Sequence, residues 1–426
     1  MKKNRNVCKS RKASKSRKAS KSGMIMKGGK FLGEGSFGCV ISPALSCITN
    51  RKSSDKYRRT LKSNNQNKTV SKIVLSPDNS VKDEIDIALK LKKLDPHQKH
   101  FITLNDYCKL KQVPADRSNI ARVRYTDNSG TYFQKLEKKP LDKKYCPVDL
   151  SMQPINLIMP YGGYDLIEIA EIIEKYGLDK NKGQSLDDNK KHKLTTARMF
   201  FLNLQSCIKN LLLGLLKMHR NRIVNRDIKE ENIMANYDET TGEVLVRFID
   251  YGLSEYLTPE HCSHYSNINT NGTYVLIAPE IFITHNINKY NGNSDEYIMN
   301  KINISIQTYV KRMLRDLKLD TLELSTIVKT LYTEIKQMFK ERTILPKYYG
   351  TPSDPLNGYL QKNDVYSLGI TLYEFLVIFT DVIKIKDNLL LSDLLKNMIQ
   401  LNPEKRFNVL QCLNHPYFTK SPYKIY

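Results

Sequence analysis

The stretch VNRDIKEENIM, residues 224–234, decides the fold because three of its side chains stand at a spacing that suits a catalytic loop. Lys229 and Asn232 follow Asp227 at offsets of two and five residues. Charged runs of this length after a helix are ordinarily solvated turns. The choice between a turn and a site therefore depends on the rest of the chain.

Length and composition predict a folded protein with an acidic partner. The 426 residues are 40% apolar, which is enough for two packed lobes with a sizeable core. The formal charge of +24 favours nucleic acid, an anionic membrane surface or an acidic protein as partner. The longest apolar runs, such as LLLGLL at 211–216, are too short to span a bilayer, and the N-terminus has no apolar signal core. We expect a soluble, intracellular protein.

The cysteines indicate the same compartment. Eight of them are scattered along the chain without a C-x-x-C pair, at positions 8, 39, 47, 108, 146, 207, 262 and 412. This pattern argues against a zinc ribbon or a disulfide framework and favours a reducing environment.

The positive charge is concentrated at the N-terminus. Residues 1–22 carry ten Lys or Arg and no acid, within a tandem RKASKS repeat that begins at Arg11. Such a segment cannot bury enough apolar surface to fold alone, so we expect a basic disordered tail over residues 1–27. It is either a solubilising leader, a nuclear import signal or a polyanion-binding segment that contacts nucleic acid electrostatically.

A glycine-rich hairpin follows the tail, in KFLGEGSFGCV at 30–40. Glycines at this spacing let the backbone fold closely over phosphates. A dinucleotide-binding turn would need a helix directly after the third glycine, whereas here an apolar strand continues. The residues of this hairpin that could lie over phosphates are Leu32, Gly33, Glu34, Gly35, Ser36, Phe37, Gly38 and Val40.

A lysine then stands in the middle of the apolar strand TVSKIVL at 69–75. Lys72 either faces solvent or has an anionic partner, because burying an unpaired ammonium is costly. The helix VKDEIDIALKLKKL that follows offers Glu84 and Asp86. We prefer Glu84, because one turn later Ala88 can pack inside, whereas the residue one turn after Asp86 is a lysine. This pairing suggests a phosphate-binding lysine held by a carboxylate.

The order of hairpin, strand lysine, helix glutamate and VNRDIKEENIM resembles the protein kinase superfamily. FIDYG at 248–252 resembles its metal-binding motif, and GTYVLIAPE at 272–280 resembles its substrate-side loop. NDVYSLGITLYEFL, from Asn363, resembles the central helix of the large lobe, and Arg406 stands where the family pairs an arginine with the glutamate matching Glu280. The resemblance covers about residues 28–420. It implies an α+β, two-lobed fold with a small β-rich N-lobe and a larger, mainly helical C-lobe.

The resemblance also implies a serine/threonine protein kinase that uses ATP and Mg²⁺. Asp227 would accept the proton of the substrate hydroxyl, and Lys229 would lie beside the γ-phosphate. Asn232 and Asp250 would be the oxygen ligands of Mg²⁺. Lys72, held by Glu84, would contact the α- and β-phosphates.

Adenine would lie near NLIMPYGGYDL at 156–166, which resembles the hinge between the lobes. The Pro160 carbonyl would accept from the adenine amino group, and the Gly162 amide would donate to the ring. The other candidate contacts are Val70 above the base, Met234 below it, Met159 at the back and Asp165 near the ribose.

The domain boundaries follow from these motifs. We expect an N-lobe at 28–158 with an insert at about 43–67, a hinge at 159–164, and a C-lobe at 165–420 before a tail at 421–426. Glu280 and Asp364 are separated by 84 positions, and segments such as LSTIVKTLYTEIKQMF have helical periodicity. We expect a helical insert at about 283–360 that covers a face left by trimmed neighbouring helices.

Some features depart from the family pattern or leave alternatives. Asn225 replaces the usual histidine and Tyr251 the usual phenylalanine, although neither change removes a reacting group. Arg226 would bind the phosphate group of phosphorylated Ser263, Ser266 or Thr270 in the activation segment, unless that segment is ordered without phosphate. The inserts, basic leader and FIDYG resemble kinases of nucleocytoplasmic large DNA viruses, which implies host cytoplasm or virion. A pseudokinase scaffold that binds partners or polyanions is the main alternative.

Overall fold

A computed structural model describes most of the chain. The described residues are 30–35, 38–45, 69–74, 79–110, 120–125, 134–136, 146–148, 153–178, 186–257, 276–304, 321–379 and 389–419. The predicted tails at 1–27 and 421–426, residues 46–67 of the predicted N-lobe insert, and Ser36 and Phe37 lie outside them.

The strands, in chain order, are β1 Lys30–Gly35, β2 Gly38–Ser42, β3 Thr69–Val74, β4 Asp106–Lys109, β5 Ile120–Tyr125, β6 Gln134–Leu136, β7 Cys146–Val148, β8 Ile155–Pro160, β9 Tyr164–Asp165, β10 Ile223–Val224, β11 Ile233–Asp238, β12 Glu243–Phe248 and β13 Glu255–Tyr256. The helices are α1 Asn79–Leu94, α2 Leu166–Tyr176, α3 Asp188–Leu202, α4 Leu204–Arg220, α5 Pro279–Lys289, α6 at 295–304, α7 Thr321–Lys340, α8 Ile344–Tyr349, α9 Tyr359–Val377, α10 Leu389–Met398, α11 Val409–Leu413 and α12 Pro416–Thr419.

The smaller lobe is built on a five-stranded antiparallel sheet in the order β1-β2-β3-β8-β4. Strand β3 is buried along almost its whole length, as its β-branched Val and Ile residues favour. Helix α1 supplies Val81, Ile85, Ala88 and Leu91 to the core beside this sheet. Their spacing of three and four residues places them on one face of the helix.

The larger lobe surrounds helix α9. Sixteen of its 19 residues are buried, from Tyr359 to Leu376, and a helix that is buried all round needs packing partners on every side. One partner is α4, whose apolar face belongs to the same core as Leu368, Leu372 and Phe375 of α9. These two lobes confirm the predicted α+β class, with a smaller β-rich lobe and a larger, mainly helical one.

A second apolar core joins the helices between α5 and α9 to the central helix. Ile302 of α6, Val328 of α7 and Ile344 of α8 pack in the same cluster as Tyr366 and Ile370 of α9. The described helices α6, α7 and α8 therefore extend the core of the large lobe. They fold against the face of α9 that is opposite to its contact with α4.

Two cysteines differ from the expectation. Cys39 on β2 and Cys108 on β4 are disulfide-bonded, whereas Cys207 and Cys412 are free and buried. The prediction that the cysteines are unpaired is thus wrong for the first two. The absence of a C-x-x-C pair did not reveal these bonds, because disulfides join residues that the fold brings together.

Within the described residues no single helix has both the length and the apolarity of a membrane span. Helices α3 and α4, which meet at 85°, reach that length and composition only as a bent pair.

Candidate active site

Lys72 lies between two carboxylates in the cleft between the lobes. Its Nζ is 2.8 Å from Oε1 of Glu84 on α1 and 2.7 Å from Oδ1 of Asp250 after β12. Glu84 is buried, whereas Asp86 is exposed, so the helix presents only the first of the two acids to the lysine. The contact joins both lobes through one side chain.

The charges of this cluster shift one another's ionisation. Burial alone would lower the pKa of Lys72, but Asp250 and Glu84 outweigh burial and raise it. For Asp250, burial would raise the pKa, and the Lys72 ammonium reverses the shift and lowers it. Burial raises the pKa of Glu84 in spite of the lysine. The lysine is therefore firmly charged, with Asp250 as its ionised partner.

Asp227, Lys229 and Asn232 meet in a short loop between β10 and β11. The Nζ of Lys229 is 3.0 Å from Oδ2 of Asp227. The side-chain amide of Asn232 donates to the same Oδ2 at 2.8 Å and to the Asp227 carbonyl at 2.9 Å. A 3-10 turn over Glu230–Asn232 brings the asparagine back to the aspartate. The offsets of two and five thus turn three functional groups towards one point.

Asp364 of α9, which is fully buried, holds the loop between β10 and β11 in place. Its carboxylate accepts from the amides of Asn225 at 2.8 Å and Arg226 at 2.9 Å, and it lies 3.0 Å from Nε2 of His219. Arg226 adopts a φ of +67°, in the left-handed region that side chains rarely occupy. The hydrogen bonds from these two backbone amides to the Asp364 carboxylate hold the strained turn in place.

The two departures from the family pattern have local partners. Asn225 accepts the amide of Asp227 with its Oδ1 at 3.0 Å, and its own carbonyl accepts from the Ser254 hydroxyl at 3.2 Å. The Tyr251 hydroxyl donates to the Phe248 carbonyl at 2.9 Å, while its ring packs edge-on against Phe101. The side-chain oxygen of Asn225 and the hydroxyl of Tyr251 therefore both have hydrogen-bond partners inside the protein.

The oxygen atoms fit a magnesium ion bound together with phosphates. Asn232 directs the donor end of its amide towards Asp227, so the acceptor oxygen points away from that carboxylate. Asp250 follows Ile249, whose amide donates to the Asn232 carbonyl at 3.0 Å, and this bond brings the two candidate ligands side by side. No group of three or more His, Cys, Asp or Glu side chains suited to a metal occurs in the described part of the chain. Mg²⁺ needs only one or two protein ligands when phosphates and water complete its shell.

Several of the predicted nucleotide contacts lie on paired strands of the two lobes. Val70 pairs with Met159 across β3 and β8, and Met234 pairs with Asp165 across β11 and β9. A Cβ on Gly162 would lie 3.0 Å from Cγ of Met234, so the predicted hinge passes directly over the predicted floor. Pro160 ends β8.

One of the predicted contacts, Asp165, has an additional role. Asp165 caps α2, because its Oδ1 accepts the Glu168 amide at 2.7 Å. Burial, together with the neighbouring Glu168, raises its pKa to about 6.

Strands β1 and β2 form the predicted hairpin, with Gly35 opposite Gly38 and Val40 opposite Lys72 on β3. Leu32 is partly exposed on this hairpin, with Gly33 and Glu34 beside it on β1.

Arg226 has a carboxylate partner in the described part of the activation segment. Its Nη1 donates to Oε2 of Glu255 on β13, and both side chains are largely buried. The structure does not describe the residues that were predicted to carry the phosphate, which are Ser263, Ser266 and Thr270, and it does not describe Thr273.

Glu280 and Arg406 form a fully buried pair, at 2.5 Å and 3.1 Å between both oxygens and both terminal nitrogens. The guanidinium also lies 4.9 Å from the centre of the Tyr366 ring. The pair fixes the end of the activation segment to the last part of the large lobe.

Some residues of the site had no clear signal in the sequence. His219 ends an apolar helix and meets Asp364 only in the folded protein, across 145 positions. Arg247 on β12 donates to the Gly162 carbonyl at 3.2 Å and is also distant in sequence from its partner. Strand alternation predicts which face a side chain occupies, but it does not identify the segment that it contacts.

The model of the protein kinase domain family matches residues 178–418, more than half of the chain. The matched region contains the loop around Asp227, Asp250, Glu280 and α9, whereas the glycine hairpin, Lys72 and Glu84 precede it.

Curated relatives are distant. "Cyclin-dependent kinase-like 5" of Mus musculus is 25% identical over 214 residues, which is 50% of this chain and 20% of that protein. "Cyclin-dependent kinase 11" of Dictyostelium discoideum is 24% identical over 283 residues, 64% of this chain and 68% of that protein. Among solved structures, the twitchin kinase region of C. elegans has a TM-score of 0.42 at 15% identity, covering 93% of this chain and 46% of that chain.

Proposed function

This chain belongs to the protein kinase domain family, and on that premise we propose that it transfers the γ-phosphoryl group of ATP to serine or threonine hydroxyls of proteins. The observation that carries the proposal is Lys72, held at 2.8 Å from Glu84 and 2.7 Å from Asp250 across the cleft. This geometry supports an active enzyme over a pseudokinase scaffold, because it aligns residues from both lobes that phosphoryl transfer requires.

Each group of the cleft has a proposed role. Asp227 orients the substrate hydroxyl and accepts its proton as the oxygen bonds to the γ-phosphorus. The bond from that phosphorus to the bridging β-phosphate oxygen breaks, and ADP leaves with the electron pair. Lys229, 3.0 Å from Asp227, neutralises charge on the transferred group, and Lys72 holds the α- and β-phosphates.

Two residues would hold the metal that accompanies ATP. Asp250 and Asn232 offer hard oxygen ligands on neighbouring elements. Bound Mg²⁺ supplies positive charge that offsets the charge developing on the phosphate oxygens. Val70, Met159 and Met234 would enclose the base, while the Pro160 carbonyl and the Gly162 amide would bind its polar edge.

The test is phosphate transfer by the purified full chain. Incubation with γ-labelled ATP, Mg²⁺ and a mixture of basic and acidic proteins, followed by phosphoamino-acid analysis, should yield phosphoserine or phosphothreonine. Asp227→Asn should lower kcat by about 10²- to 10⁴-fold and leave ATP affinity nearly unchanged, because it removes a base and not a nucleotide contact. Lys72→Met should also remove transfer.

Arg220→Met is a suitable control, because this residue at the end of α4 is exposed and is not one of the residues assigned to the site. Nucleotide binding without transfer by the unaltered chain would support a pseudokinase scaffold instead. Full activity in both the Asp227 and Lys72 variants would reject the assigned site.

The finer assignments rest on sequence features. Serine/threonine specificity is supported by Lys229 at its position in the loop and by Thr273 in GTYVLIAPE. The basic leader, the inserts and FIDYG support a relationship to kinases of large DNA viruses. Such a relationship would imply a location in host cytoplasm or the virion. Phosphoamino-acid analysis tests the first of these assignments directly.

We also propose that residues 1–22 bind nucleic acid or another polyanion. The support is their ten positive charges without an acid. Because such binding releases counterions, affinity should fall steeply with salt, and deletion of residues 1–22 should flatten that dependence without changing activity on a short peptide. Equal affinities and equal salt slopes for the full and truncated chains would exclude this role.

A further inference from the structure

Arg247 is a buried charge that the proposed phosphoryl transfer does not use. It lies on β12 with 8% of its surface exposed, and within the described residues none of the ion pairs includes it. Burial lowers the pKa of its guanidinium, although Asp95 acts in the opposite direction. Its Nε has no hydrogen-bond partner among the described residues. A buried charge without an ion-pair partner is costly, so the hydrogen bonds that Arg247 does make must offset part of this cost.

Arg247 makes a hydrogen bond to a residue of the predicted hinge. Its Nη2 donates to the carbonyl of Gly162 at 3.2 Å. Arg247 stands opposite Met234 in the pairing of β11 with β12, so both side chains leave the same face of that sheet. Met234 also approaches Gly162, at 3.0 Å from the position that a Cβ would occupy. The floor of the cleft and the guanidinium thus contact the same hinge residue.

The hinge at this point consists of two glycines. Gly163 adopts a φ of +105°, and a Cβ there would lie 2.2 Å from the Ala235 carbonyl oxygen. This close approach presses the hinge against β11. However, glycine has no side chain to restrict its rotation, so the Gly162–Gly163 peptide needs a partner that fixes its direction. The Arg247 guanidinium is that partner.

We propose that Arg247 is a positioning residue of the nucleotide site, which binds the Gly162 carbonyl and thereby orients the hinge on which adenine is recognised. The inference rests on the proposed kinase function, because it presumes that the Gly162 amide faces a nucleotide base. Its effect passes through the hinge backbone, and Arg247 itself need not touch the nucleotide.

The test separates base binding from phosphate binding. Arg247→Met keeps an unbranched side chain as far as the position of Nε and removes all the donors. We expect ATP and adenosine to bind about tenfold more weakly to this variant of the full chain, whereas inorganic tripolyphosphate binds with unchanged affinity. In steady state, KM for ATP should rise about tenfold, and kcat and KM for the protein substrate should change less than about twofold.

Two further variants control for folding and charge. Arg247→Lys retains a donor and should bring ATP affinity back to within about threefold of the unaltered chain. Arg220→Met makes the same chemical change on the exposed end of α4 and should leave all three affinities unchanged. Thermal unfolding of each variant identifies any that do not fold.

The outcomes distinguish this inference from the function on which it rests. If the unaltered chain binds neither ATP nor adenosine, the proposed function fails first. If it binds both, and Arg247→Met either binds both equally well or loses tripolyphosphate to the same extent as adenosine, the positioning role is wrong. Should Arg247→Met not fold, Arg247→Gln takes its place, because this polar side chain ends at the position of Nε and cannot replace the Nη2 donor. Unchanged adenosine affinity in a folded Arg247→Gln variant would contradict the proposal.

Discussion

Asp165 places a negative charge where the fold disfavours it. Its pKa is raised from the ordinary 3.8 to about 6, chiefly by burial, so the folded protein holds the proton more tightly than the unfolded chain. The stabilisation is therefore complete below about pH 4 and is lost as the pH rises through about 6. Asp165→Asn keeps a side chain that caps helices well and removes the charge. At pH 8 its free energy of unfolding should exceed that of the unaltered chain by on the order of 1–2 kcal/mol.

The comparison is urea unfolding at pH 8 and pH 4, where the advantage of Asp165→Asn should disappear at the lower pH. Asp187 supplies a matched control, because it caps α3 through the Lys190 amide at 2.9 Å but is exposed. The side chain of Lys190 lowers the pKa of Asp187, so Asp187→Asn should give no stabilisation at pH 8. A gain of equal size in both variants would show that burial of Asp165 is not the cause.

Residues whose partners lie nearby in sequence, or whose face is set by periodicity, were the ones that the sequence could predict. Glu84 was preferred over Asp86 because Ala88 packs inside one turn later, and the structure buries Ala88 and exposes Asp86. The contact between Arg247 and Gly162 spans 85 positions and has no periodic signature. The disulfide bonds of Cys39 and Cys108 were likewise missed, since they depend on how distant strands are placed.

At the scale of elements, Glu255 on β13 supplies the negative charge that pairs with Arg226, a charge that was expected from a phosphate group. The sequence predicted that Arg226 would bind a phosphorylated residue of the activation segment, and in the structure it donates to Glu255. We therefore expect phosphatase-treated protein to retain its activity. Glu255→Gln leaves Arg226 without its carboxylate and should lower kcat/KM of the treated enzyme by about tenfold or more, because a largely buried cation becomes unpaired.

The measurement is kcat/KM on a short peptide before and after phosphatase treatment, with the modification state read by mass spectrometry. Glu243→Gln, an exposed glutamate on β12, removes the same charge away from Arg226 and serves as control. If dephosphorylation inactivates the unaltered enzyme while Glu255→Gln has no effect, phosphate and not Glu255 orders the segment.

Element boundaries show which parts of the architecture follow from sequence. Helical periodicity between Glu280 and Asp364 predicted helices there, and α7 spans the segment with the clearest pattern. That these helices join Tyr366 and Ile370 in a second core was not deducible from amphipathicity, which shows that a face is buried but not against what. The central position of α9 was implied by the resemblance of NDVYSLGITLYEFL to a family motif and not by periodicity, and in the structure 16 of its 19 residues are buried.

Across the whole molecule, Glu280 and Arg406 tie together segments 126 positions apart. Both side chains are fully buried, so Arg406→Met leaves an uncompensated carboxylate and should lower the free energy of unfolding by about 3–5 kcal/mol. Replacing both residues by methionine should cost less than the sum of the two single changes, because no charge then remains buried.

Urea unfolding of the two single variants and the double variant measures this coupling. Lys347 and Glu404 form an exposed pair at 2.7 Å across 57 positions, and breaking it should cost less than about 1 kcal/mol. Strict additivity of the Glu280 and Arg406 changes would contradict the buried coupling.

Asp364 has a consequence for the motions of the catalytic loop. It accepts hydrogen bonds from the amides of Asn225 and Arg226, and it belongs to a helix in which 16 of 19 residues are buried. Those amides can exchange with deuterium only when the core around α9 opens, and not through fluctuation of the loop alone. We therefore expect the loop that carries Asp227 to stay fixed to α9 when the smaller lobe moves. Such a movement would break the contact of Lys72 with Asp250 and keep its contact with Glu84, because the lysine and Glu84 belong to the same lobe.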